Sequence, residues 1–282
     1  MDTSTLRRAY AEKIRDLAGI HSGALTAAFA TVPRERFLGP GPWLVLRPGP
    51  TIAYDSAPSA QLPGIYDDVL VAIDPGRHLN NGQPSAHALW IDAAGPRPGE
   101  SVMHLGCGTG YYTAILAELV GASGRVLALE VDGGLAERAR ECLAPWPQVQ
   151  VESGDGSQPH GPHDVIYVNA GATHARKEWL AALAPGGRLV LPLTVHVPIL
   201  STMHGVGFVI RSERQGQRWP VRVVSPVGIF DCCGARDEAA EAQLRGLLKP
   251  EAMPSVCVLS IEPHARAPSC LLHVDGFCLS RG

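Results

Sequence analysis

The chain has 282 residues, 45% of them hydrophobic and 18% charged, with a formal net charge of -3 at pH 7. This composition is ordinary for a globular protein and excludes wholesale disorder. Because there is no Lys/Arg run to attract a polyanion, we expect no nucleic-acid partner. No apolar stretch approaches the roughly 18 residues of a membrane span, and the first residues lack the apolar segment of a signal peptide, so we expect a cytoplasmic protein without a membrane partner.

The first part of the chain is predicted to be helical, with one irregular segment. Apolar residues at helical spacing predict an amphipathic helix over residues 6–17 and a second helix over 25–30. The density of Gly and Pro over residues 39–63 favours an irregular connection. A third helix is expected over residues 85–94, where Gly95-Pro96 stops it.

Residues 101–193 alternate between short apolar runs and helical stretches. Strands are predicted over residues 101–105, 125–130, 149–151, 164–168 and 188–193, helices over 112–120, 135–143 and 175–183, and a turn at 185–187. Strands separated by helices of this length are typical of a parallel sheet with helices on both faces. Right-handed connections then predict a doubly wound, Rossmann-like α/β fold.

The pattern changes after Pro192. Strands are predicted over residues 207–211, 220–224, 255–261 and 271–274, and a helix over 238–248. We interpret them as antiparallel additions followed by an appendage, which divides the chain into an N-terminal helical and substrate-side segment (1–95), a Rossmann-like domain (96–228) and a C-terminal appendage (229–282). The appendage is expected to cover the substrate cleft or to form a homodimer contact.

The seven cysteines form no Cys-x-x-Cys pair, which is typical of reduced thiols. In the C-terminal part, His264, His273 and the cysteines are scattered along the sequence. We therefore expect no metal site.

A glycine-rich turn follows the first strand of the predicted sheet. Gly106, Gly108 and Gly110 allow the backbone to turn tightly against a ligand at the start of a helix. Glu130 ends the next strand about twenty residues later, where a carboxylate can accept hydrogen bonds from both hydroxyls of a ribose. Nicotinamide dinucleotides and S-adenosylmethionine share this geometry, but the dinucleotide fingerprint needs a glycine where this chain has Tyr111. The tighter glycine spacing favours S-adenosylmethionine.

Several motifs appear in an order that identifies a family. They are Val-Pro-Arg-Glu-Arg-Phe at residues 32–37, Val-Met-His-Leu-Gly-Cys-Gly-Thr-Gly-Tyr at 102–111, Gly-Asp-Gly at 154–156, Pro-Gly-Gly-Arg-Leu-Val-Leu-Pro at 185–192 and Pro-Val-Arg-Val-Val at 220–224. Over about residues 6–228 the chain thereby resembles the protein-L-isoaspartate O-methyltransferases. The resemblance implies an O-methyltransferase that uses S-adenosylmethionine and acts on a carboxylate of a peptide or small acid.

The resemblance also implies roles for individual residues near the donor. The methionine part would be held by Gly106, Gly108, Thr109 and Gly110, the ribose by Glu130, the adenine face by Val131 and the adenine edge by Asp155 with Gly156. His87 matches a histidine that lies near the donor in some members, although an ordinary partly buried histidine is an equal interpretation.

The chain departs from the family at the acceptor. The family places a serine at the isoaspartyl carboxylate, and the same register here gives Gly82. The neighbouring Asn80 and Asn81 offer other hydrogen-bond donors, although Asn-Asn-Gly is also a plain turn sequence. We therefore expect Asn80 and Gly82 to contact the acceptor, and Asn81, Gln83 and His87 to act in catalysis.

A second acceptor contact is predicted at the carboxyl edge of the sheet. Asn169 and Thr173 follow the strand at 164–168, at the edge where such folds bind ligands. The alternative is a strand end with Thr173 as a helix cap. An acceptor that needs a base has His87, His104 or His174 as candidates, His104 standing where the family usually has an acidic residue.

Three functions remain open from the sequence. The first is methylation of a carboxylate of a peptide or small acid, and the second is O- or N-methylation of a small metabolite. The third is a non-catalytic protein that binds the donor.

Overall fold

The structure, a computed structural model, describes residues 2–46, 60–158, 160–197, 204–248 and 257–281. These residues form two compact units that interleave along the sequence. The first unit comprises Met1–Gly99, Cys107–Val126 and Asp132–Val151, and the second comprises Glu100–Gly106, Leu127–Val131 and Glu152–Gly282. Among the described helices, none is long and apolar enough to cross a membrane.

The first unit contains five helices: α1 Thr3–Ala18, α2 Gly23–Thr31, α3 Pro84–Ala94, α4 Tyr111–Val120 and α5 Gly133–Leu143. Local sequence signals set their ends. Asp2 caps α1 by accepting from the backbone N–H groups of Ser4 and Thr5. Pro84 opens α3, where its missing N–H costs nothing, and Gly95 ends that helix in a left-handed conformation. The predicted helices of this part are confirmed, each within three residues at both ends.

A small antiparallel sheet precedes α3. Its strands are β1 Val45–Leu46, β2 Leu70–Asp74 and β3 Leu79–Asn80, in the order β1-β2-β3. Because β3 ends at Asn80, this sheet fixes where residues 81–83 enter α3. The irregular segment predicted over 39–63 lies partly outside the described residues, since 47–59 are not among them.

Strands with residues in the second unit form one ten-stranded sheet in the order β12-β13-β11-β10-β9-β8-β7-β4-β5-β6. They are β4 Ser101–Leu105, β5 Arg125–Glu130, β6 Val149–Ser153, β7 His163–Val168, β8 Leu183–His196, β9 His204–Glu213, β10 Arg218–Phe230, β11 Cys257–Ser260, β12 Cys270–Val274 and β13 Phe277–Arg281. The pairs β4–β7 and β7–β8 are parallel, and every pair from β8–β9 to β12–β13 is antiparallel. The α/β, Rossmann-like fold class is confirmed.

The core of the second unit extends into its C-terminal strands. One apolar cluster contains Leu105 of β4, Trp179 of α6 (Lys177–Ala182), Trp219 of β10, Leu244 of α7 (Glu238–Leu247) and Leu279 of β13. The described residues of the C-terminal segment, 229–248 and 257–281, therefore contribute to the same core as the parallel strands. The units do not follow the boundaries 1–95, 96–228 and 229–282, which remain a prediction.

Two local expectations are wrong. Residues 185–187 were expected to form a separate turn, but β8 already begins at Leu183 and runs through them. Between the pairs His163–Leu183 and Val165–Arg188 the β7–β8 register shifts, and Gly186, with φ of 74°, takes up the extra length. The helix expected over 175–183 is shorter, because α6 begins only at Lys177.

Candidate functional site

Gly106 turns the chain sharply at the end of β4. Its φ is 73°, and a Cβ there would lie 3.0 Å from the carbonyl oxygen of Asn169, so no side chain fits. The Gly106 N–H donates to Leu129 O at 2.8 Å, and Asn169 Nδ2 donates to Gly106 O at 3.0 Å. Asn169 therefore fixes the turn, a role that the sequence did not suggest.

The turn continues in the first unit through Gly108 and Gly110. A Cβ on Gly108, whose φ is 57°, would meet no protein atom within 4 Å. A Cβ on Gly110 would instead lie 2.7 Å from Leu143 Cδ1 on α5. Gly108 thus borders open space that a ligand can occupy, whereas Gly110 is required by packing. Between them Thr109 is buried.

Glu130 and Val131 follow one another at the end of β5. The Glu130 side chain is only 7% exposed, while Val131 is 52% exposed, which is unusual for a large apolar residue. Gly154 donates its backbone N–H to Glu130 O at 2.9 Å and so ties the end of β5 to the chain beyond β6. A sheltered carboxylate beside an exposed apolar side chain suits a ribose next to an adenine.

Asp155 and Gly156 form a tightly held turn. A Cβ on Gly156 would lie 2.4 Å from Leu105 Cδ2, and Trp179 Nε1 donates to Gly156 O at 3.0 Å. Hydrogen bonds from Ser157, helped by the nearby Arg176, lower the pKa of Asp155, so its carboxylate is ionised at neutral pH.

Arg176 is a contact that sequence reasoning missed. Its Nη1 lies 3.4 Å from Asp155 Oδ2 and donates to Gly234 O at 2.9 Å. The chain after β10 therefore reaches Asp155 through Arg176. No motif or spacing in the sequence pointed to Arg176; only its positive charge could have suggested it.

The segment of residues 80–83, which we call the acceptor segment, is held by hydrogen bonds. Asn80 Oδ1 accepts from Gly82 N at 2.9 Å, and Gln83 Nε2 donates to Asp68 Oδ2 at 2.9 Å. The Tyr112 hydroxyl donates to Gly82 O at 3.2 Å. The segment is therefore rigid where it enters α3.

Arg34 holds the acceptor segment through hydrogen bonds to Asn81. It is fully buried, and its guanidinium donates to the carbonyl oxygens of Ile65, Asp67 and Val69. Its Nε and Nη2 also donate to Asn81 Oδ1, at 3.1 and 2.9 Å. The amide oxygen of Asn81 thus completes the shell of a buried cation, which makes Asn81 a positioning residue in this geometry.

His87 fills the place that a side chain at residue 82 would need. Its ring stacks on Tyr112 at 3.6 Å with an interplanar angle of 7°. Gly82 has a φ of 76°, and a Cβ there would lie 2.4 Å from His87 Nε2. The His87 imidazole therefore leaves no room for a side chain at residue 82.

Several predicted contacts need correction. Thr173 is fully buried, and its hydroxyl accepts from Asp237 N at 2.9 Å and lies 3.3 Å from Ala235 O, so it does not face an acceptor. It does not cap α6 either, since the N-cap position of that helix is Arg176. His104 is fully buried in β4, and burial lowers its pKa to about 3, which removes it as a base. Burial also lowers the pKa of His174.

The tail histidines and cysteines are not scattered in space. The ligand atoms of His264, Cys270, His273 and Cys278 all lie within 4.8 Å of one another. The expectation that these residues are too dispersed to form a cluster is wrong, because the β12–β13 pairing brings residues distant in sequence together.

A Rossmann-like sheet with a glycine turn after the parallel strand β4 is the fold of methyltransferases that use S-adenosylmethionine. The sequence profile of the protein-L-isoaspartate(D-aspartate) O-methyltransferases matches residues 53–203. The chain belongs to this family, and its membership confirms the enzyme class and the methyl donor expected from the sequence.

Related proteins support the family at the level of sequence and fold. A protein-L-isoaspartate O-methyltransferase of Methanopyrus kandleri is 32% identical over 201 residues, which cover 68% of this chain and 80% of the relative. A solved protein-L-isoaspartate O-methyltransferase superposes with a TM-score of 0.65 at 19% identity, covering 98% of this chain and 88% of the other. A Plasmodium falciparum protein of the same name, solved with S-adenosyl-L-homocysteine, superposes with a TM-score of 0.61 at 16% identity, over 80% of this chain and 97% of its own. The two superpositions show the shared fold.

Proposed function

We propose that this enzyme methylates a carboxylate of a peptide or protein. The observation that carries the proposal is the rigid acceptor segment, residues 80–83, in a family named for methylating isoaspartate and D-aspartate in proteins. A carboxylate is ionised at neutral pH and needs no general base. The buried, neutral state of His104 agrees with an acceptor of that kind.

The donor is held, in this proposal, by Gly106, Gly108, Thr109, Gly110, Glu130, Val131, Asp155 and Gly156. When bound, S-adenosylmethionine would supply the methyl group of its sulfonium for in-line transfer to an acceptor oxygen, with S-adenosylhomocysteine leaving as the neutral thioether. The residues of the chain orient the donor. The glycine turn makes room for the methionine part, Glu130 would accept hydrogen bonds from the ribose hydroxyls, and Val131 would cover an adenine face. Asn169 fixes the Gly106 carbonyl and so positions the turn.

The acceptor contacts come from Asn80, Gly82, Gln83 and His87. Asn81 acts through Arg34, which it holds in place, and is a positioning residue rather than a contact. Gln83 is oriented by Asp68, and His87 by its stack on Tyr112. Because Gly82 lacks the hydroxyl that the family sets beside the isoaspartyl carboxylate, the enzyme favours a different carboxylate geometry.

The test is methyl transfer from a tritiated donor to peptides that contain aspartate, isoaspartate or neither. A carboxyl methyl ester is hydrolysed by mild base and releases volatile methanol, so base-labile label on the acidic peptides supports the proposal. An isoaspartyl peptide should turn over about tenfold to a hundredfold more slowly than with a serine-containing family member assayed alongside, the effect of one lost hydrogen bond to a charged group.

Three outcomes would contradict parts of this proposal. Base-stable label on small amines or alcohols would favour a metabolite methyltransferase. Donor binding without transfer to any acceptor would favour a non-catalytic protein. Rapid turnover of the isoaspartyl peptide would restore repair of such residues as the leading function.

We infer a cytoplasmic setting for the enzyme. None of its seven cysteines forms a disulfide, which agrees with a reducing compartment. A homodimer formed through the C-terminal residues remains a prediction from the sequence.

A further inference from the structure

Four metal-binding side chains meet at the C-terminal hairpin. Cys270 and His273 lie on β12, Cys278 lies on β13, and His264 lies between β11 and β12. His273 and Cys278 are direct partners in the β12–β13 register. The hairpin therefore fixes three of these residues, and the preceding loop brings the fourth.

The spacing of the four donor atoms is close to that of a tetrahedral site. All lie within 4.8 Å of one another, and Cys270 Sγ is 3.7 Å from His264 Nε2. Zinc bonds of about 2.3 Å to sulfur and 2.0–2.1 Å to nitrogen place tetrahedral S and N ligands roughly 3.5 Å apart. Only small side-chain movements separate the observed arrangement from that geometry.

His264 is already oriented as a ligand. Its Nδ1 is 2.9 Å from the carbonyl oxygen of Glu262, which can only accept, so Nδ1 carries the proton. The lone pair is then on Nε2, the atom that faces Cys270. Histidine ligands commonly have the second ring nitrogen held in this way.

His273 and Cys270 provide two independent indications. Among the residues that the structure describes, His273 Nδ1 is shielded from solvent and has no hydrogen-bond partner, a costly state for a polar atom that a bound metal ion would relieve. The Ala267 N–H donates to Cys270 Sγ at 3.3 Å, an interaction that stabilises a thiolate. The His273 backbone is fixed by Gln243, which accepts from its N–H at 2.9 Å and donates to its carbonyl at 3.2 Å.

We propose that His264, Cys270, His273 and Cys278 bind one zinc ion in a structural Cys2His2 site. Two thiolates with two imidazoles select zinc over Mg²⁺ and Ca²⁺, which prefer oxygen. Four protein ligands leave no open position, as in structural rather than catalytic sites. On binding, the two thiols release their protons to solvent, two Zn–S and two Zn–N bonds form, and no atom changes oxidation state.

A zinc ion at this site would hold the hairpin at the edge of the sheet in place. β12 is the last strand of the sheet order, and among the described strands only β13 pairs with it. The zinc site ties the exposed His264 loop to this hairpin, whose Leu272 and Leu279 are buried in the core of the second unit. Metal binding should therefore stabilise the C-terminal strands.

The experiment uses the full chain, purified without a histidine tag or chelator in the presence of a non-thiol reductant. Elemental analysis should find about one zinc per chain, and Co²⁺ added to metal-free protein should give the spectrum of tetrahedral thiolate coordination. His264→Gln, at an exposed position, and Cys270→Ser should each lose the zinc, while Cys233→Ser, an exposed cysteine outside the cluster, should keep it.

The Co²⁺ titration of the unaltered chain keeps the proposal falsifiable even if a variant fails to fold. Absence of stoichiometric zinc together with no tetrahedral Co²⁺ spectrum would overturn it. So would equal zinc content in His264→Gln, or a Cys270–Cys278 disulfide in the reduced preparation.

Discussion

The three glycines of the turn after β4, which we call the donor turn, have different surroundings. Gly110 is needed because Leu143 of α5 packs against it, and Gly106 because the carbonyl of Asn169 does, whereas a Cβ at Gly108 would meet no described protein atom within 4 Å. In the proposed donor site, a side chain at Gly108 would meet the donor rather than the protein. The proposal therefore assigns binding to Gly108 and packing to Gly106 and Gly110.

Gly108→Val should weaken binding of S-adenosylhomocysteine, the demethylated donor, by about tenfold or more, equivalent to about 1.4 kcal/mol. Valine at a positive φ also costs stability, of order 1–3 kcal/mol. Gly19→Val is the matched control, because Gly19 has a φ of 64° and nothing within 4 Å. Calorimetry on both folded variants checks this, and unchanged affinity in Gly108→Val would remove Gly108 from the donor site.

Gly82→Ser should not restore the activity of serine-containing relatives. The new Cβ would lie 2.4 Å from His87 Nε2 at a positive φ, so the variant should melt earlier and methylate an isoaspartyl peptide no faster. Adding His87→Ala removes the clash, and the double variant should melt higher than Gly82→Ser alone. An increase in isoaspartyl turnover from the single substitution would show that His87 does not occupy the serine's place.

At the scale of elements, the acceptor segment depends on the buried Arg34. Asn81→Ala would remove the acceptor of Arg34 Nε and leave Nη2 with Val69 O alone, at a cost of about 1–3 kcal/mol. Thermal stability should fall while the single-turnover rate of the folded fraction stays normal. Asn81→Asp keeps an acceptor oxygen for Arg34 and should recover much of the stability.

The sequence alone predicts the opposite for Asn81→Ala: slower methyl transfer rather than lower thermal stability. A tenfold slower rate in Asn81→Ala with unchanged stability and donor affinity would favour Asn81 as a direct acceptor contact. Gln83→Ala is the companion variant, since its partner Asp68 is a partly buried carboxylate rather than a buried cation.

The buried His104 makes β4 sensitive to acid. Burial lowers its pKa from 6.5 to about 3, so the folded protein keeps the ring neutral while the unfolded chain binds a proton below pH 6.5. This contribution to stability is present above pH 6.5 and is lost as the pH falls from 6.5 toward 3, about tenfold in the folded-to-unfolded ratio per pH unit. Urea unfolding at pH 7 and pH 5 should show a smaller acid loss in His104→Leu than in the parent, and equal losses would contradict the assignment.

Sequence patterns predicted those helices and strands whose bounds are set by residues close together in the chain. The bounds of β4 and β5 follow from mainly apolar runs that end before a glycine or at an acid. Those of α1 follow from apolar periodicity, and the end of α3 from Gly95. The strands β1 and β3, of two residues each, exist only through pairing with β2, so no local signal marks them. The Arg34 network and the C-terminal Cys/His cluster are likewise made by residues distant along the chain.

At the scale of the whole chain, the described C-terminal residues pack into the core of the second unit. β10 runs through residue 228, pairs with β11 over Arg218–Val221, and buries Trp219 completely. The core of the second unit joins Leu105, just before the donor turn, to Leu279 near the end of the chain. The C-terminal strands therefore support the turn that follows β4.

A chain that ends at residue 228 should consequently fail to give a folded donor-binding domain. The cut falls inside β10 and removes β11 to β13, which leaves Trp219 and Val221 uncovered and the edge of β10 unpaired. Soluble yield, melting temperature and calorimetry with S-adenosylhomocysteine measure the outcome.

Substitutions in the full chain give the same test without a cut: Leu279→Ala, in the core, should cost about 2–5 kcal/mol and weaken the domain that holds the donor turn. Leu248→Ala, at a position 37% exposed, is the matched control and should cost much less. A soluble truncated chain that melts cooperatively and binds S-adenosylhomocysteine with the full-length affinity would show instead that residues 229–282 are a separable appendage.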